Sequence, residues 1–230
     1  MMKNKIASEL FETTFLIFEQ SSNKLLGSGS VFMVGSNNDS YRVFAIFPFE
    51  SIKNSDNCYL QFDAVNNGKD TNHRFNFTKD FALSHKNNLG IVIVDFANSL
   101  NFLRSKNIIL KFKGILNENI RNEELDKNIS DFENITLIHP CSDLEGNKIF
   151  LKTSNLTSLF EESYFYVNSY GAPLLGSAAF LYNQGGFFAE NTIYSGSRLI
   201  YLGMVVSLIN NSIFKVLRAE EIFNIISKIK

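Results

Sequence analysis

Residues 173–180 read Pro-Leu-Leu-Gly-Ser-Ala-Ala-Phe, and this stretch decides the fold prediction. Its small residues at 176 to 179 allow two backbones to approach closely, as at a tight turn that enters a buried strand. The residue at the centre of the turn is Leu175, which carries no oxygen and therefore cannot attack a carbonyl group. The stretch predicts a strand entered by a turn that has an apolar residue at its tip.

Two upstream segments have a comparable pattern of glycine, small polar residues and apolar strand. Residues 27–34 read Gly-Ser-Gly-Ser-Val-Phe-Met-Val, and residues 41–49 follow with Tyr-Arg-Val-Phe-Ala-Ile-Phe-Pro-Phe. Residues 87–94 read Asn-Asn-Leu-Gly-Ile-Val-Ile-Val. A phosphate-binding loop at 27–30 is disfavoured, because such a loop precedes a helix with Lys-Ser/Thr, whereas residues 31–34 continue as a strand.

In this order and spacing, the segments resemble those of the chymotrypsin-like serine proteases. Residues 173–180 are similar to the family's Gly-x-Ser-Gly-Ser-Pro-Val-Phe loop, and residues 27–49 to its first hairpin and the strand that ends in Ala-Ala-His. Residues 87–94 are similar to the Asp-Leu-Ala-Leu-Leu-Lys-Val strand. Residues 135–140 and 202–207 resemble two strands of the second barrel, and residues 214–222 resemble the closing Phe-Ala-Ile-Pro-x-Glu-x-Ile segment of the HtrA/Deg-like branch. The resemblance spans roughly residues 10 to 230.

The resemblance also implies that the catalytic chemistry is lost. In this register Phe47 holds the position of the general-base histidine, Asn88 that of the orienting aspartate and Leu175 that of the nucleophile. A triad needs a nucleophile, a base that takes its proton and an anion that holds the imidazolium. We therefore predict a catalytically inactive homologue, a pseudoprotease without catalytic residues, that acts by binding or scaffolding.

Two other functions remain open. A register shifted by two residues would make Ser177 the nucleophile of a displaced hydrolase or peptidase centre, but it places Ala178 and Ala179 where the family has the glycines that shape the oxyanion hole. The chain could also be a purely structural subunit of a larger assembly. The three histidines are expected to be non-catalytic: His73 in a polar loop, His85 near the rim of the cleft and His139 at a strand end beside Cys141.

The predicted fold class is all-β. About twelve short apolar stretches separated by Gly, Asn and Ser indicate two six-stranded antiparallel β-barrels with a C-terminal helix. We expect an N-terminal barrel over residues 1–116, a polar and acidic linker over 117–132, a C-terminal barrel over 133–215 and a helix over 216–230. The apolar spacing at 222, 223, 225, 226 and 229 predicts the helix and one buried face. We expect this face to pack the second barrel onto the first.

Composition restricts the partners. The formal net charge is −1 without a basic or acidic tail, which disfavours nucleic acid and anionic membranes as partners. Cys58 and Cys141 are far apart and fall in different predicted barrels, so we expect free thiols, no metal site and no cofactor. The N-terminal apolar run, residues 13–18, is short and flanked by acidic residues, which disfavours a secretory signal and favours the cytoplasm.

A peptide or protein partner is expected. Phe47 with Phe49, and Leu174 with Leu175, are expected to fill the former cleft by packing on each other; the alternative is an open apolar groove that binds a peptide beside strand 202–207. A homo-oligomer is also considered, because the related branch forms trimers through N-terminal aromatic residues. The corresponding residues here are Phe11, Phe15 and Phe18.

Overall fold

The structure, a computed structural model, describes residues 10–36, 40–117, 134–141, 148–158, 163–169, 174–183, 187–189, 192–194 and 198–229. Most of these residues lie in antiparallel β-strands that form two units. The predicted linker lies outside the described residues except for Asn117.

The first unit is an antiparallel sheet. Its strands are β1 (Thr14–Glu19), β2 (Leu25–Ser36), β3 (Ser40–Pro48), β4 (Asn57–Asn66), β5 (Lys69–Thr78), β6 (Ile91–Asp95) and β7 (Ile108–Leu110). The strand order is β5-β4-β1-β2-β3-β6, and β7 pairs with β4. Two short helices, α1 (Lys79–Ser84) and α2 (Ala97–Ser105), flank β6.

The first unit is not a closed barrel, because β5 and β6 do not pair with each other. The chain that follows α1 turns back along the free edge of β6 instead. The Ile93 amide donates to the His85 carbonyl at 3.2 Å, and the Asn87 amide donates to the Ile91 carbonyl at 3.0 Å. These bonds occupy the backbone groups that β5 would need for closure, so the prediction of a first closed barrel is wrong.

The second unit is a closed six-stranded barrel in the order β10-β15-β14-β11-β8-β9. Its strands are β8 (Asn134–Cys141), β9 (Lys148–Ser158), β10 (Tyr164–Asn168), β11 (Ala178–Asn183), β14 (Arg198–Leu208) and β15 (Ile213–Arg218). A separate hairpin consists of β12 (Phe187–Ala189) and β13 (Thr192–Tyr194). Helix α3 (Ala219–Ile226) follows β15 directly. The predicted closed second barrel and C-terminal helix are confirmed, although the helix begins at Ala219 rather than at residue 216.

Successive side chains of a strand point to opposite faces of the sheet. The buried hydrophobic side chains form three main clusters. One lies inside the first unit and includes Phe15, Phe47 and Phe62. A second fills the barrel, and a third lies between the two units. The third cluster contains Phe32, Ile46 and Tyr201 with Ile222 and Phe223 of α3, so the apolar face of the helix joins the two units as expected.

Two N-terminal aromatic residues suggested for trimer contacts are buried within the chain itself. Phe15 and Phe18 lie in the cores of the first unit, and Phe11 is partly buried against the cluster between the units. Phe15 and Phe18 therefore present no exposed ring to a partner, and the homo-oligomer stays a prediction. Cys58 is a buried free thiol, as expected. No described helix combines the length and apolar character needed to span a membrane.

Candidate functional site at the junction of the two units

The backbones of the three segments that carry the predicted triad positions meet at the junction. The Phe49 amide donates to the Gly90 carbonyl at 2.9 Å, which joins the end of β3 to the turn before β6. The Ser28 amide donates to the Leu175 carbonyl at 2.9 Å, which joins β2 to the turn before β11. Gly176 lies so close to β2 that an added Cβ would overlap the Ser28 carbonyl and lie 3.2 Å from Pro48 Cδ. The sequence register therefore identified segments that are neighbours in space.

The side chains at these three positions do not form a reacting group. Phe47 is 1% exposed and points into the core of the first unit, where its ring centroid lies 6.3 Å from that of Phe15. Leu175 is half-buried against the core of the barrel. Asn88 is exposed, and no hydrogen bond of its side chain is found within the described residues. Such a set supplies neither a nucleophile nor a proton acceptor.

Asn87, next to the predicted Asn88, organises the turn before β6. Its Oδ1 accepts the backbone amides of Leu89 at 3.0 Å and Ile91 at 3.1 Å, and its Nδ2 is buried without a partner in the described part of the chain. The turn continues through Gly90, whose φ of +79° favours glycine. Asn87 therefore stabilises the turn before β6, a role that the sequence analysis did not predict.

Ser177, the alternative nucleophile, lies beneath the turn and is 0% exposed. Its Oγ has no hydrogen-bond partner among the described residues, and its amide donates to the Leu174 carbonyl at 3.1 Å. A serine in this position neither contacts solvent nor meets a base.

Further buried hydroxyl groups lie at the same junction. They belong to Ser28, Ser30 and Tyr201, and none has a hydrogen-bond partner of good geometry within the described regions. Burial raises the pKa of the Tyr201 phenol far above its ordinary value, and the neighbouring Ser30 hydroxyl offsets only part of this rise. The phenol therefore remains neutral across the physiological range.

Neither of the two histidines whose side chains are described, His73 and His85, supplies a base at this place. His73 lies in β5 rather than in the predicted loop, where it packs edge-on against Phe75 and burial lowers its pKa. His85 is exposed, and its Nδ1 lies 2.9 Å from the Phe81 carbonyl. His139 belongs to β8, but its side chain and that of Cys141 lie outside the described set, so the prediction that His139 is non-catalytic is not tested.

An open groove of about 250 Å³ lies where the two units meet, beside Phe49 and Gly90, and we call it the junction groove. Its lining residues come from both units: Phe49, Glu50, Lys86, Leu89 and Gly90 from the first, and Tyr164, Val206, Ser207 and Lys215 from the second. Phe47 points into the core of the first unit, whereas Phe49 begins the short 3-10 helix Phe49–Ser51 after β3, packs against the same core and lines the groove. Phe47 is therefore not among the residues that line the groove, which lies open beside Phe49.

The end of β14 presents a free backbone edge to the junction groove. Strand β11 pairs with β14 only as far as Met204, and the turn adds two bonds between Val205 and residues Gly176 and Ser177. Beyond that point, β14 continues to Leu208 and, among the described residues, pairs only with β15. Two residues of this free stretch, Val206 and Ser207, line the groove. This is the geometry in which an added strand can extend a sheet.

The charged groups in the groove are predominantly basic. The Lys86 ammonium lies 4.8 Å from the ring centroid of Phe49, and the Lys215 ammonium lies 3.7 Å from that of Tyr164. Neither lysine forms a salt bridge within the described residues, whereas Glu50 is paired with Lys53. Within the part of the chain that the structure describes, no group of three or more His, Cys, Asp or Glu side chains is arranged to hold a metal ion.

Sequence reasoning missed Lys86, Tyr164 and Lys215. Each lies in a different segment, and only the folded chain brings them to one groove. No local motif marks them, so no signal in a single sequence could have identified them. Strand 202–207 was anticipated as the peptide-binding edge, but its free part is Val206–Leu208, because Gly203 and Met204 already pair with both β11 and β15.

The fold and site together define an all-β protein with two antiparallel units and a groove at their junction. No protein-family model matches the chain, and no curated protein matches it. Two solved structures of the tobacco etch virus protease are similar. One is a mutant, with 11% identity, a TM-score of 0.45 and coverage of 95% of this chain and 78% of that chain.

The other is a catalytically inactive form complexed with substrate, with 9% identity, a TM-score of 0.43 and coverage of 94% of this chain and 83% of that chain. Similarities of this size establish neither a family nor an activity.

Proposed function

We propose that this chain is a catalytically inactive homologue of the chymotrypsin-like proteases, closest to the HtrA/Deg-like branch, and that it binds extended peptide segments of other proteins in the junction groove. The proposal combines the motif resemblance with the architecture of two antiparallel units, one of them a closed six-stranded barrel. The direct passage from β15 into α3 agrees with the closing segment of that branch.

One observation carries the loss of catalysis. The three segments that would supply a triad lie together, yet Phe47 is buried in the core, Asn88 is exposed and Leu175 is apolar. The alternative centre at Ser177 is disfavoured, because a substrate carbonyl cannot approach an oxygen that has no exposed surface and no neighbouring base.

Peptide binding is supported by the free edge of Val206–Leu208 together with the open space beside it. A peptide laid along this edge would gain backbone hydrogen bonds from β14 and would place alternate side chains in the groove. A purely structural role in a larger assembly would not require this combination of edge and groove.

The test is selection from a random octapeptide library displayed on phage, with the full chain immobilised, followed by affinity measurement on synthetic peptides. Ser207→Trp fills the groove from a partly buried strand position, and Thr71→Trp adds the same bulk at an exposed position of β5. We expect Ser207→Trp to weaken binding at least tenfold and Thr71→Trp to leave it unchanged. Failure to enrich any peptide, or equal effects of the two variants, would contradict the proposal.

A further inference from the structure

The junction groove contains two positive charges that have no acidic partner among the residues that the structure describes. Lys86 follows α1 in the first unit and Lys215 lies on β15 of the second, so the two ammonium groups approach the groove from both sides. Each is held over an aromatic face, that of Phe49 or Tyr164. Contact with a ring does not neutralise an ammonium group, so both charges remain available to an anion.

Glu50, the one carboxylate among the described residues that line the groove, does not cancel these charges. Glu50 pairs with Lys53, a residue outside the groove lining. The groove therefore carries an excess of positive charge in a chain whose formal net charge is −1. An excess of one sign in a cleft selects ligands of the opposite sign and steers their approach.

We propose that the occupant of the junction groove is an acidic peptide segment, in which Asp or Glu side chains face Lys86 and Lys215. The inference rests on the proposed peptide-binding function and specifies the chemistry of the partner. The free edge of β14 holds the backbone of the segment, and the two lysines select its side chains. Side chains at i and i+2 of an extended segment point to the same side, roughly 7 Å apart, so two acidic residues separated by one residue can face the groove together.

The size of the selectivity follows from the exposure of the site. An ion pair on a solvent-accessible surface changes an affinity by roughly two- to fivefold, and two such pairs by about tenfold. The effect decreases as salt is added, because the screening length falls to about 8 Å at physiological ionic strength and about 3 Å at 1 M.

The octapeptide library is the probe. We expect the selected sequences to be enriched in Asp and Glu at positions two residues apart. Synthetic versions in which each acid is replaced by its amide should bind roughly tenfold more weakly, and this difference should shrink at high salt.

Three variants locate the effect. Lys86→Gln and Lys215→Gln should each weaken binding of the acidic peptide by roughly two- to fivefold, and the double variant should bind acidic and amide peptides equally. Lys106→Gln is the matched control, because the Lys106 ammonium also lies over an aromatic ring, that of Phe102, at 5.8 Å and outside the groove. It should leave the affinity unchanged.

The outcomes separate the two proposals. If peptides bind and Ser207→Trp abolishes binding, but acidic and amide versions bind equally, the acidic preference is overturned while peptide binding stands. If Lys106→Gln weakens binding as much as Lys86→Gln, the effect is one of overall charge and the assignment to the groove fails. If no peptide is enriched, both proposals fail.

Discussion

Replacement of Gly176 by alanine tests whether the turn before β11 is held against the first unit. Gly176 has a φ of +87°. An added Cβ would overlap the Ser28 carbonyl oxygen, whereas real Cβ atoms essentially never approach another heavy atom within 3.0 Å. Two control positions separate the cost of the positive φ from the cost of the steric overlap. Gly68 has a φ of +78° with no atom within 4 Å of an added Cβ, and Gly35 has open space at the same distance and no positive φ.

The expected magnitudes follow from these three environments. A residue with a side chain at positive φ costs roughly 1–2 kcal/mol, which is the whole effect expected for Gly68→Ala. For Gly176→Ala the turn must also move away from β2. It then weakens the bonds from Ser28 to Leu175 at 2.9 Å and from Gly176 to Val205 at 2.8 Å, each worth about 1 kcal/mol. We expect a total loss of about 3–4 kcal/mol, and a change of at most about 0.5 kcal/mol for Gly35→Ala.

The assay is urea unfolding followed by far-UV circular dichroism, which suits a chain without tryptophan. The three variants should share one m-value, and the free energy of unfolding should fall in the order Gly35→Ala, Gly68→Ala, Gly176→Ala. A Gly176→Ala variant as stable as Gly68→Ala would refute the close contact between the turn and β2, and with it the convergence of the three segments.

Three further predictions concern buried groups and the groove. Phe47→Ala should lower the free energy of unfolding by about 3–5 kcal/mol in urea titration, as expected for a core aromatic residue. Phe49→Ala should lower it by less, and should weaken the binding of selected peptides because Phe49 lines the groove. Tyr201→Phe should leave stability unchanged or raise it, because it removes a buried hydroxyl without a described partner; a loss above about 2 kcal/mol would contradict this. Burial raises the pKa of Cys58 from 9.0 to about 11, so the native thiol should resist alkylation at pH 8. Since the unfolded chain ionises first, Cys58 should lower stability by about 2 kcal/mol between pH 9 and 11, a decrease that Cys58→Ala removes.

The elements that the sequence predicted well are those with strong local patterns. Each of the twelve apolar stretches overlaps an observed strand, and the small residues before β11 correctly indicated a turn against another backbone. The closed barrel and the terminal helix followed from strand number and helical spacing.

The missed elements have weak local patterns. Strand β5 has polar and exposed residues over most of its length, since it lies at the edge of the open sheet and only Phe75 and Phe77 face inward. Helix α2 buries only Leu100 and Leu103, a pair too short to reveal a helical period. Arg198–Leu208 forms one continuous strand, because Gly203 allows close approach of the Leu217 carbonyl instead of ending the strand.

The sequence predicted which backbone segments of the candidate site lie close together, but not the directions in which their side chains point. Motif order correctly brought residues 47, 88 and 175 to neighbouring segments, but the direction of each side chain depends on the pleat of β3 and on the turn built by Asn87. Alternation alone would place Phe47 and Phe49 on the same side of a strand. Phe49 lines the groove while Phe47 lies in the core because β3 ends at Pro48 and the chain turns into the 3-10 helix Phe49–Ser51.

The proposed loss of catalysis can be measured by labelling the folded full chain with a fluorophosphonate serine-hydrolase probe. Intact mass and peptide mapping then locate any adduct. We expect no adduct on any serine of the native protein, because Leu175 carries no oxygen and Ser177 has no exposed surface. A single stoichiometric adduct on Ser177, or on any other serine at the junction, would contradict it.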